Sequence, residues 1–383
     1  SGAPNPSFQE TYESRWGEIR QIVGFFSPSG VLQWFRFLDS GVAYGVTVDR
    51  EGYLIVVGEA NNHEPFPETG ATTSYVNPTP GDLVTMASQA CPTAAQMTIA
   101  KLDQTGNVLW HNFYNTESNI SSALTQRCVG QQVVETNTNN EPGYRVVGWQ
   151  VSGGSRRACM VQVDADGMLQ FATRFNSIPG ISHASNGFEM AMYISRCPFG
   201  AGEKFAVTGF RGVPDNNNRL SAWVMYMDDA VGTVTDAEWT QDVYDAYADD
   251  GNPFEVDIAL ETCVNRVALT MDGSQPRVVW PLLYNYVKKD GSGQSLTAAT
   301  PFATTQNREA SARVFKFDGA NSNILWGSPE LGPMRAFDLF FSVKPMPSGD
   351  YAVTTTKAAQ GHGIDDPLDY SDLAGGVQTC LTS

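Results

Sequence analysis

Apolar and polar residues alternate along most of this chain in short runs, and the runs come in pairs separated by tight turns. Residues 99–110 read IAKLDQTGNVLW, two such runs around a turn with Asp and Gly, the second run ending in a tryptophan. Alternation with a period of two predicts a half-buried strand, and two alternating runs around a Gly-containing turn predict a β-hairpin. The same pattern recurs at residues 25–34, 160–171, 223–239 and 313–326.

A second kind of hairpin lies between copies of the first. Residues 42–60 read VAYGVTVDREGYLIVVGEA, two alternating runs around the turn Asp-Arg-Glu-Gly. Related segments occur at residues 131–150, 188–210, 254–271 and 337–356. The chain therefore alternates between two hairpins, five times over, and is predicted to be a repeat protein.

Two hairpins per repeat make a four-stranded antiparallel unit, and a series of such units predicts an all-β protein with the β-propeller fold. Within a unit, a hairpin of the second kind is followed by one of the first kind. The chain, however, begins with a hairpin of the first kind and ends with one of the second kind. We therefore expect five four-stranded blades, closed by pairing of the N- and C-terminal strands. An array of β-sandwich domains is the alternative, although the repeat is short for sandwiches of about 100 residues.

The prediction is a single domain over residues 1–383, with an insertion at 272–310 and a C-terminal extension at 358–383. The extension ends in VQTCLTS, which is similar to the start of a strand in the first kind of hairpin. Three interpretations remain open for it: an additional edge strand, the beginning of further blades in a longer chain, or a strand that pairs with a neighbouring molecule.

Charge and cysteine content narrow the class of protein. The net charge of −17 argues against binding to nucleic acids or to anionic membranes, since both require basic surfaces. No run of 18 apolar residues is present, so no membrane span is expected. An even number of cysteines, six, and a sequon at Asn119 are typical of secreted proteins, and the polar start resembles a processed N-terminus. We expect an extracellular or cell-surface location.

The hairpin with the spacing Asp-x-x-Gly-x-x-x-Trp, residues 103–110, and its relative VDADGMLQF, residues 163–171, resemble repeats of secreted β-propeller proteins. They are more distantly similar to quinoprotein-like repeats. This resemblance implies a propeller fold and a non-catalytic role for a protein that is secreted or associated with a surface. It implies no cofactor.

An aromatic residue recurs at the end of the first kind of hairpin. A ring of aromatic faces could stack against sugars. Packing between blades is favoured instead, because the position recurs in every repeat. The residues are Trp34, Trp110, Phe171, Trp239 and Trp326.

Acidic residues suggest one candidate metal site. In the stretch DVYDAYADDGN, the carboxylates of Asp245, Asp249 and Asp250 could converge on a calcium ion, since calcium prefers oxygen ligands. A solvated acidic connection is the alternative. For the acidic residues in the hairpin turns, such as Asp103 and Asp164, hydrogen bonding within the turn is the better interpretation.

The cysteines are expected to form two disulfides, Cys91–Cys128 and Cys197–Cys263, because each pair is predicted to lie at one end of neighbouring blades. Cys159 and Cys380 would then be free or bonded to another chain. No nucleophile elbow or zinc-binding helix motif surrounds the four histidines, and no catalytic residue is assigned.

These patterns predict a non-enzymatic secreted or surface protein that serves in assembly or binds protein or glycan. Its expected partners are other protein subunits or surface glycans, contacted through the loops at 61–91, 272–306 and 358–379, and the C-terminal segment could join copies into a homo-oligomer or filament. The alternative is a glycan-active enzyme built on a five-bladed propeller, whose paired carboxylates need only converge in space.

Overall fold

The computed structural model describes a little over half of the chain, as separate ranges. These are residues 20–62, 74–76, 83–85, 94–116, 126–137, 142–152, 154–175, 189–196, 204–212, 220–228, 239–242, 256–263, 267–272, 275–288, 308–318, 324–327, 342–346 and 350–354. All regular structure in these ranges is β-strand, which confirms the predicted all-β class.

In chain order the strands are β1 (Arg20–Phe26), β2 (Leu32–Val48), β3 (Leu54–Asn62), β4 (Ser74–Val76), β5 (Leu83–Thr85), β6 (Gln96–Leu102), β7 (Val108–Tyr114), β8 (Cys128–Thr136), β9 (Gly143–Ser152), β10 (Ser155–Asp164), β11 (Leu169–Arg174), β12 (Glu189–Arg196), β13 (Lys204–Gly212), β14 (Leu220–Asp228), β15 (Trp239–Asp242), β16 (Val256–Cys263), β17 (Ala268–Asp272), β18 (Gln275–Lys288), β19 (Arg308–Asp318), β20 (Ile324–Gly327), β21 (Ser342–Pro345) and β22 (Tyr351–Thr354).

Twelve of the strands form three successive antiparallel meanders of four, and β4 joins the edge of the first of these in parallel with β7. The first unit consists of β2 from residue 41 onwards, β3, β6 and β7; the second of β8 to β11; the third of β12 to β15. Strand β2 is long because its first half pairs with β1 and its second half with β3. Such units packed in chain order are the blades of a β-propeller.

All five predicted hairpins of the first kind are present, as β1–β2, β6–β7, β10–β11, β14–β15 and β19–β20. Of the second kind, β2–β3, β8–β9, β12–β13 and β21–β22 are confirmed. The hairpin predicted at 254–271 is wrong, because β16 and β17 do not pair with each other and both pair with β18. Strand β18 lies within the expected insertion at 272–310, and its long apolar run suits a strand paired on both edges.

A single turn geometry closes the hairpins. In three of them an aspartate accepts backbone N–H groups two and four residues later through one carboxylate oxygen; the residues are Asp49, Asp103 and Asp164. The glycine three residues after the aspartate has positive φ, for example +85° at Gly106, which favours glycine. In the first hairpin the hydroxyl of Ser27 accepts the corresponding N–H from Val31. This confirms the turn interpretation for Asp103 and Asp164.

A β-bulge recurs in the first strand of each unit, opposite a glycine in the second strand. The glycines are Gly58, Gly148 and Gly209, and the pairing register slips beside each of them. A Cβ atom added to Gly148 would lie 1.8 Å from the carbonyl oxygen of Val129. Since no side chain fits at that distance, the bulge and the glycine require each other.

The cores lie between consecutive units. Ile55 and Val57 of the first unit pack with Val133 and Val161 of the second. Val147 and Met160, on the second unit, pack with Val207 of the third. The sheet of the second unit therefore buries both faces, one against the first unit and one against the third.

The predicted role of two recurrent tryptophans in packing between blades is confirmed. The indole N–H of Trp34 donates to the carbonyl of Gln104 at 2.8 Å, and that of Trp110 donates to Ala165 at 3.0 Å. In both cases the acceptor is the residue after the turn aspartate of the next unit. The side chains of Trp239 and Trp326 lie outside the described part of the chain.

Candidate functional site

The two ends of the antiparallel sheets differ in character. Hairpin turns such as β2–β3 and β6–β7 lie at one end. The connections from the second strand of a unit to its third, and from one unit to the next, lie at the opposite end, here called the crossover end.

Three side chains from two units meet at the crossover end. The hydroxyl of Tyr44 donates to Oε1 of Glu59 at 2.8 Å. The guanidinium of Arg127 reaches the same carboxylate, with Nε donating to Oε2 at 2.7 Å and the second nitrogen to Oε1. Tyr44 and Glu59 belong to the first unit, whereas Arg127 precedes β8 of the second. We call these three residues the Tyr-Glu-Arg cluster.

Burial differs sharply within the Tyr-Glu-Arg cluster. The side chain of Glu59 is 5% exposed and that of Arg127 is 43% exposed. Tyr44 is 42% exposed. A carboxylate taken this far out of water needs a charged partner and hydrogen-bond donors, and Arg127 and Tyr44 supply them. The cluster thus combines a partly exposed tyrosine with a buried carboxylate that accepts the hydrogen bond from its hydroxyl.

The ionisation of the cluster follows from these contacts. Partial burial, with the hydrogen bond to Glu59, raises the pKa of Tyr44 to about 12. The hydrogen bond to Glu59 also raises the pKa of Arg127 above its ordinary value. At neutral pH Tyr44 is therefore a neutral hydroxyl and Arg127 a cation.

An indole extends the cluster towards the second unit. Trp149, on β9, is only 5% exposed. The guanidinium carbon of Arg127 lies 4.8 Å from its ring centroid, and that of Arg156 lies 4.9 Å from it. Cation–π contact of this kind restrains a long side chain. Trp149 thereby helps to hold Arg127 against Glu59.

Buried amides fix the backbone on which Arg127 lies. Asn115 donates to the carbonyl of Gln126 at 3.0 Å and to the side chain of Gln96 at 2.9 Å. The carbonyl of Arg127 accepts the N–H of Val151 at 2.8 Å. Because these groups are satisfied by one another, the start of β8 is held at a defined place beside the first unit.

A second carboxylate–guanidinium contact occurs one unit further along the chain. Glu189, at the start of β12, is almost fully buried, and its Oε2 lies 3.7 Å from Arg157. Arg211 is its register partner on β13 and is fully buried. Charged residues are thus a recurrent feature of the crossover end in a protein whose overall charge is strongly negative.

Several sequence-predicted sites fall outside the described residues. These are Asp245, Asp249, Asp250, Asn119, Cys91, Cys197 and Cys380; Cys263 lies in β16, but its side chain is not among those described. The calcium site, the glycosylation site and the extracellular location therefore stay predictions. Within the described ranges, no three His, Cys, Asp or Glu side chains are grouped as metal ligands. The same ranges hold no helix with the length and hydropathy of a membrane span.

Cys128, expected to bridge to Cys91, is a free thiol in the structure. Its neighbour is Cys159, which is also free and buried, on the other side of β9. The hydrogen bond to Cys128, together with burial, raises the pKa of Cys159. The reason for the difference is that Cys128 begins β8 with its side chain in the core between the first two units.

Sequence reasoning missed the Tyr-Glu-Arg cluster, although one signal was available. The residue after the bulge glycine is Trp149 in the second unit and Phe210 in the third, but Glu59 in the first. A carboxylate at a position that is aromatic elsewhere in the repeat marks a departure from simple packing. Arg127 lies in another unit, so no spacing in the sequence could have indicated its contact with Glu59.

No protein-family model matches the sequence, and no curated protein matches it. Among solved structures, the chain is similar to the Dos1 propeller, with a TM-score of 0.41, 10% identity, and coverage of 88% of this chain and 71% of that one. A glycosyl hydrolase from Bacteroides ovatus gives a TM-score of 0.33, 11% identity, and coverage of 88% and 86%. Trypanosoma rangeli sialidase in complex with the inhibitor DANA gives a TM-score of 0.32 and 10% identity, with coverage of 89% of this chain and 56% of that one.

These similarities correct one expectation from the sequence. We expected a protein without enzymatic activity, but similar structures include a glycosyl hydrolase and a sialidase. The likeness itself concerns the β-propeller fold and assigns no activity to this chain.

Proposed function

We propose that this protein is a glycan-active enzyme of the glycosidase kind, with Tyr44 as the nucleophile and Glu59 as its base. The observation that carries the proposal is the hydrogen bond of 2.8 Å from the hydroxyl of Tyr44, a partly exposed residue, to the buried Glu59 carboxylate. A nucleophile within hydrogen-bond reach of a base, with the base oriented by a third group, is the arrangement that activates a hydroxyl. Arg127 is the third group.

Tyrosine nucleophiles occur in glycoside hydrolysis, where they replace the usual carboxylate. In the proposed reaction, Oη of Tyr44 bonds to the anomeric carbon while the bond from that carbon to the leaving oxygen breaks. The phenolic proton passes to Glu59, and the leaving oxygen takes a proton from solvent. Water then attacks the anomeric carbon and releases a proton to solvent. The bond from that carbon to Tyr44 breaks, Tyr44 recovers its proton from Glu59 as it leaves as the phenol, and the free sugar is released.

The raised pKa of Tyr44 is consistent with this role. Since the pKa is about 12, the resting group is a neutral phenol, and proton transfer to Glu59 must accompany bond formation. Arg127 holds the Glu59 carboxylate in a fixed orientation before the reaction. As the carboxylate becomes protonated, the cation is freed to interact with an anionic or strongly polar substituent of the sugar.

The proposed architecture of the enzyme is a ring of five blades, the last shared between the two chain ends. The Tyr-Glu-Arg cluster would then lie at the crossover end of the ring, at the boundary between the first and second blades. Ligand sites built between rigid elements in this way keep their side chains in defined positions.

The test is a screen with 4-nitrophenyl and 4-methylumbelliferyl glycosides, whose leaving groups need no proton. The wild-type chain is expected to hydrolyse at least one of them, and Tyr44→Phe to reduce kcat by about 10²-fold or more. The matched control, Tyr53→Phe, changes a tyrosine outside the cluster and should retain full activity. A 2-fluoro glycoside with a good leaving group should label the peptide that contains Tyr44. Absence of turnover on every glycoside, or full activity of folded Tyr44→Phe, would contradict the proposal.

A further inference from the structure

One position in the first strand of each unit shows a large difference in exposure. The position is the one that pairs with the residue two places before the bulge glycine of the same unit. It is occupied by Val46 in the first unit, Val133 in the second and Ile194 in the third. Val133 is 1% exposed and Ile194 is 6% exposed, whereas Val46 is 54% exposed. Val133 and Ile194 are covered by the sheet of the preceding unit. Val46 lacks such a cover.

The missing cover can be identified from the chain order. Within the described ranges, the sheet before the first unit consists of β1 and the first half of β2, which correspond to the third and fourth strands of a unit. Val133 is covered by Ile55 and Val57, which belong to the second strand of the preceding unit. The first and second strands are therefore what the sheet beside Val46 lacks.

The outer edge of β1 shows the same deficit. Phe26 directly precedes the turn that follows β1, as Leu102 and Val163 precede the equivalent turns. Leu102 and Val163 are fully buried, but Phe26 is 59% exposed. In the complete units the strand carrying this position has partners on both edges, whereas β1 pairs with β2 alone among the described strands. We call the open edge of β1 together with Val46 the closing slot.

The hairpin β21–β22 has the complementary deficit. It is a first and second strand with no third strand beside it in the described residues. The backbone hydrogen bond from Met346 to Asp350 matches that from Asp49 to Tyr53 in the first unit. Val343 then corresponds to Val46, and it is 4% exposed, because it packs on Val279 of the preceding sheet. This hairpin is thus already seated against one neighbour in the way that a blade requires.

We propose that β21–β22 occupies the closing slot of the same molecule, with β22 pairing antiparallel to β1. The register follows from the repeat. In the first unit Leu54, which begins the strand after the β2–β3 turn, pairs with Leu102, which ends the strand before the β6–β7 turn. Tyr144 and Val163 are the equivalent pair in the second unit. By the same rule Tyr351 pairs with Phe26 and Val353 with Gly24.

This register also accounts for the exposed valine. In the first unit Ile55 and Val57 point towards the second unit, and Leu54 and Val56 towards β1 and β2. The residue of β22 that corresponds to Ile55 is Ala352, which would point towards the first unit and cover Val46. Tyr351 already packs in the opposite direction, with Val343 and Val279. Closure therefore requires no change in which face of the hairpin is buried.

Disulfide trapping in the full-length chain tests the register. The double variant Gly24→Cys, Val353→Cys places two cysteines at paired positions, within the separation of about 4.4–6.8 Å that a disulfide needs. We expect a cross-link between these positions, mapped by peptide mass spectrometry, in a protein that remains monomeric. The matched control, Ile22→Cys with Val353→Cys, is two residues out of register and should not cross-link. A cross-link only in the control, none in either, or a cross-linked dimer would overturn the proposal.

A second measurement does not depend on disulfide formation. In the variant Val46→Cys the new thiol should be alkylated at least tenfold more slowly than in Leu109→Cys, which replaces a side chain that is 48% exposed on a hairpin outside the slot. Equal rates would show that Val46 is uncovered in solution and would overturn closure. Because neither readout involves activity, failure of closure is distinguishable from failure of the proposed enzymatic function.

Discussion

The indole N–H of Trp110 donates a hydrogen bond of 3.0 Å to the carbonyl oxygen of Ala165, which lies in the turn of the next unit. The ring of Trp110 also lies against the turn glycine, since a Cβ added to Gly167 would be 2.9 Å from it. Trp34 has the same relation to Gln104 and Gly106. One contact, used twice, therefore joins three consecutive sheets.

Replacement of Trp110 by phenylalanine tests this contact. Trp110→Phe keeps an aromatic ring but removes the N–H donor, and we expect a loss of about 1 kcal/mol in the free energy of unfolding. Urea denaturation measures it. Trp34→Phe should behave alike, because its donor has the same role. Unchanged stability in both variants would show that the hydrogen bonds between units contribute nothing measurable.

A methyl group at the bulge glycine should be far more damaging. Gly148→Ala directs a Cβ onto the carbonyl of Val129, so the bulge must shift, at a cost of about 2 kcal/mol or more. Gly24→Ala is the control, since its nearest neighbour is the mobile ring end of Phe26 at 3.3 Å. Thermal denaturation should rank Gly148→Ala well below Gly24→Ala, and the reverse order would contradict the role given to the bulge.

Acid titration should single out Asp103. The hydroxyl of Thr105 and the backbone N–H of Asn107 hydrogen-bond its carboxylate and lower the pKa of Asp103 to about 2. Because the folded pKa is the lower one, the stabilisation is present above about pH 4 and is lost as the pH falls towards 2. NMR titration of the carboxyl carbon measures the pKa. Thr105→Ala should raise it, and a midpoint near 4 in the wild type would contradict the hydrogen bonding described.

Cys128 and Cys159 should remain reduced and unreactive in the folded protein. Strand β9 separates them, so their Cα atoms are roughly two strand spacings apart, ~10 Å, beyond the reach of a disulfide. Alkylation followed by peptide mapping should leave both thiols unmodified in native conditions and modify both in denaturant. A Cys128–Cys159 disulfide in the native protein would contradict this prediction.

The prediction of the candidate site from sequence was limited by distance along the chain. Glu59 follows Gly58 in a motif whose other copies have an aromatic residue there, so its departure from the repeat can be seen in the sequence. Its partner Arg127 is 68 residues away and belongs to another unit. The cluster depends on how two sheets pack, and packing between sheets leaves no spacing that a sequence pattern could detect.

The alternation of apolar residues and the Asp-x-x-Gly turns by themselves determined the all-β class and nine of the ten hairpins, because strand period and turn geometry depend on neighbouring residues. The exception is the hairpin predicted at 254–271, because β17 pairs with β18 instead of β16. Strand β18 pairs with β16, β17 and β19, and a local pattern does not reveal which of several possible partners a strand takes. Only the tertiary structure decided that the carboxylate of Glu59 is buried beside the hydroxyl of Tyr44, and that Cys128 lies next to Cys159. Both depend on contacts between strands that are far apart in the chain and are set by the stacking of whole sheets.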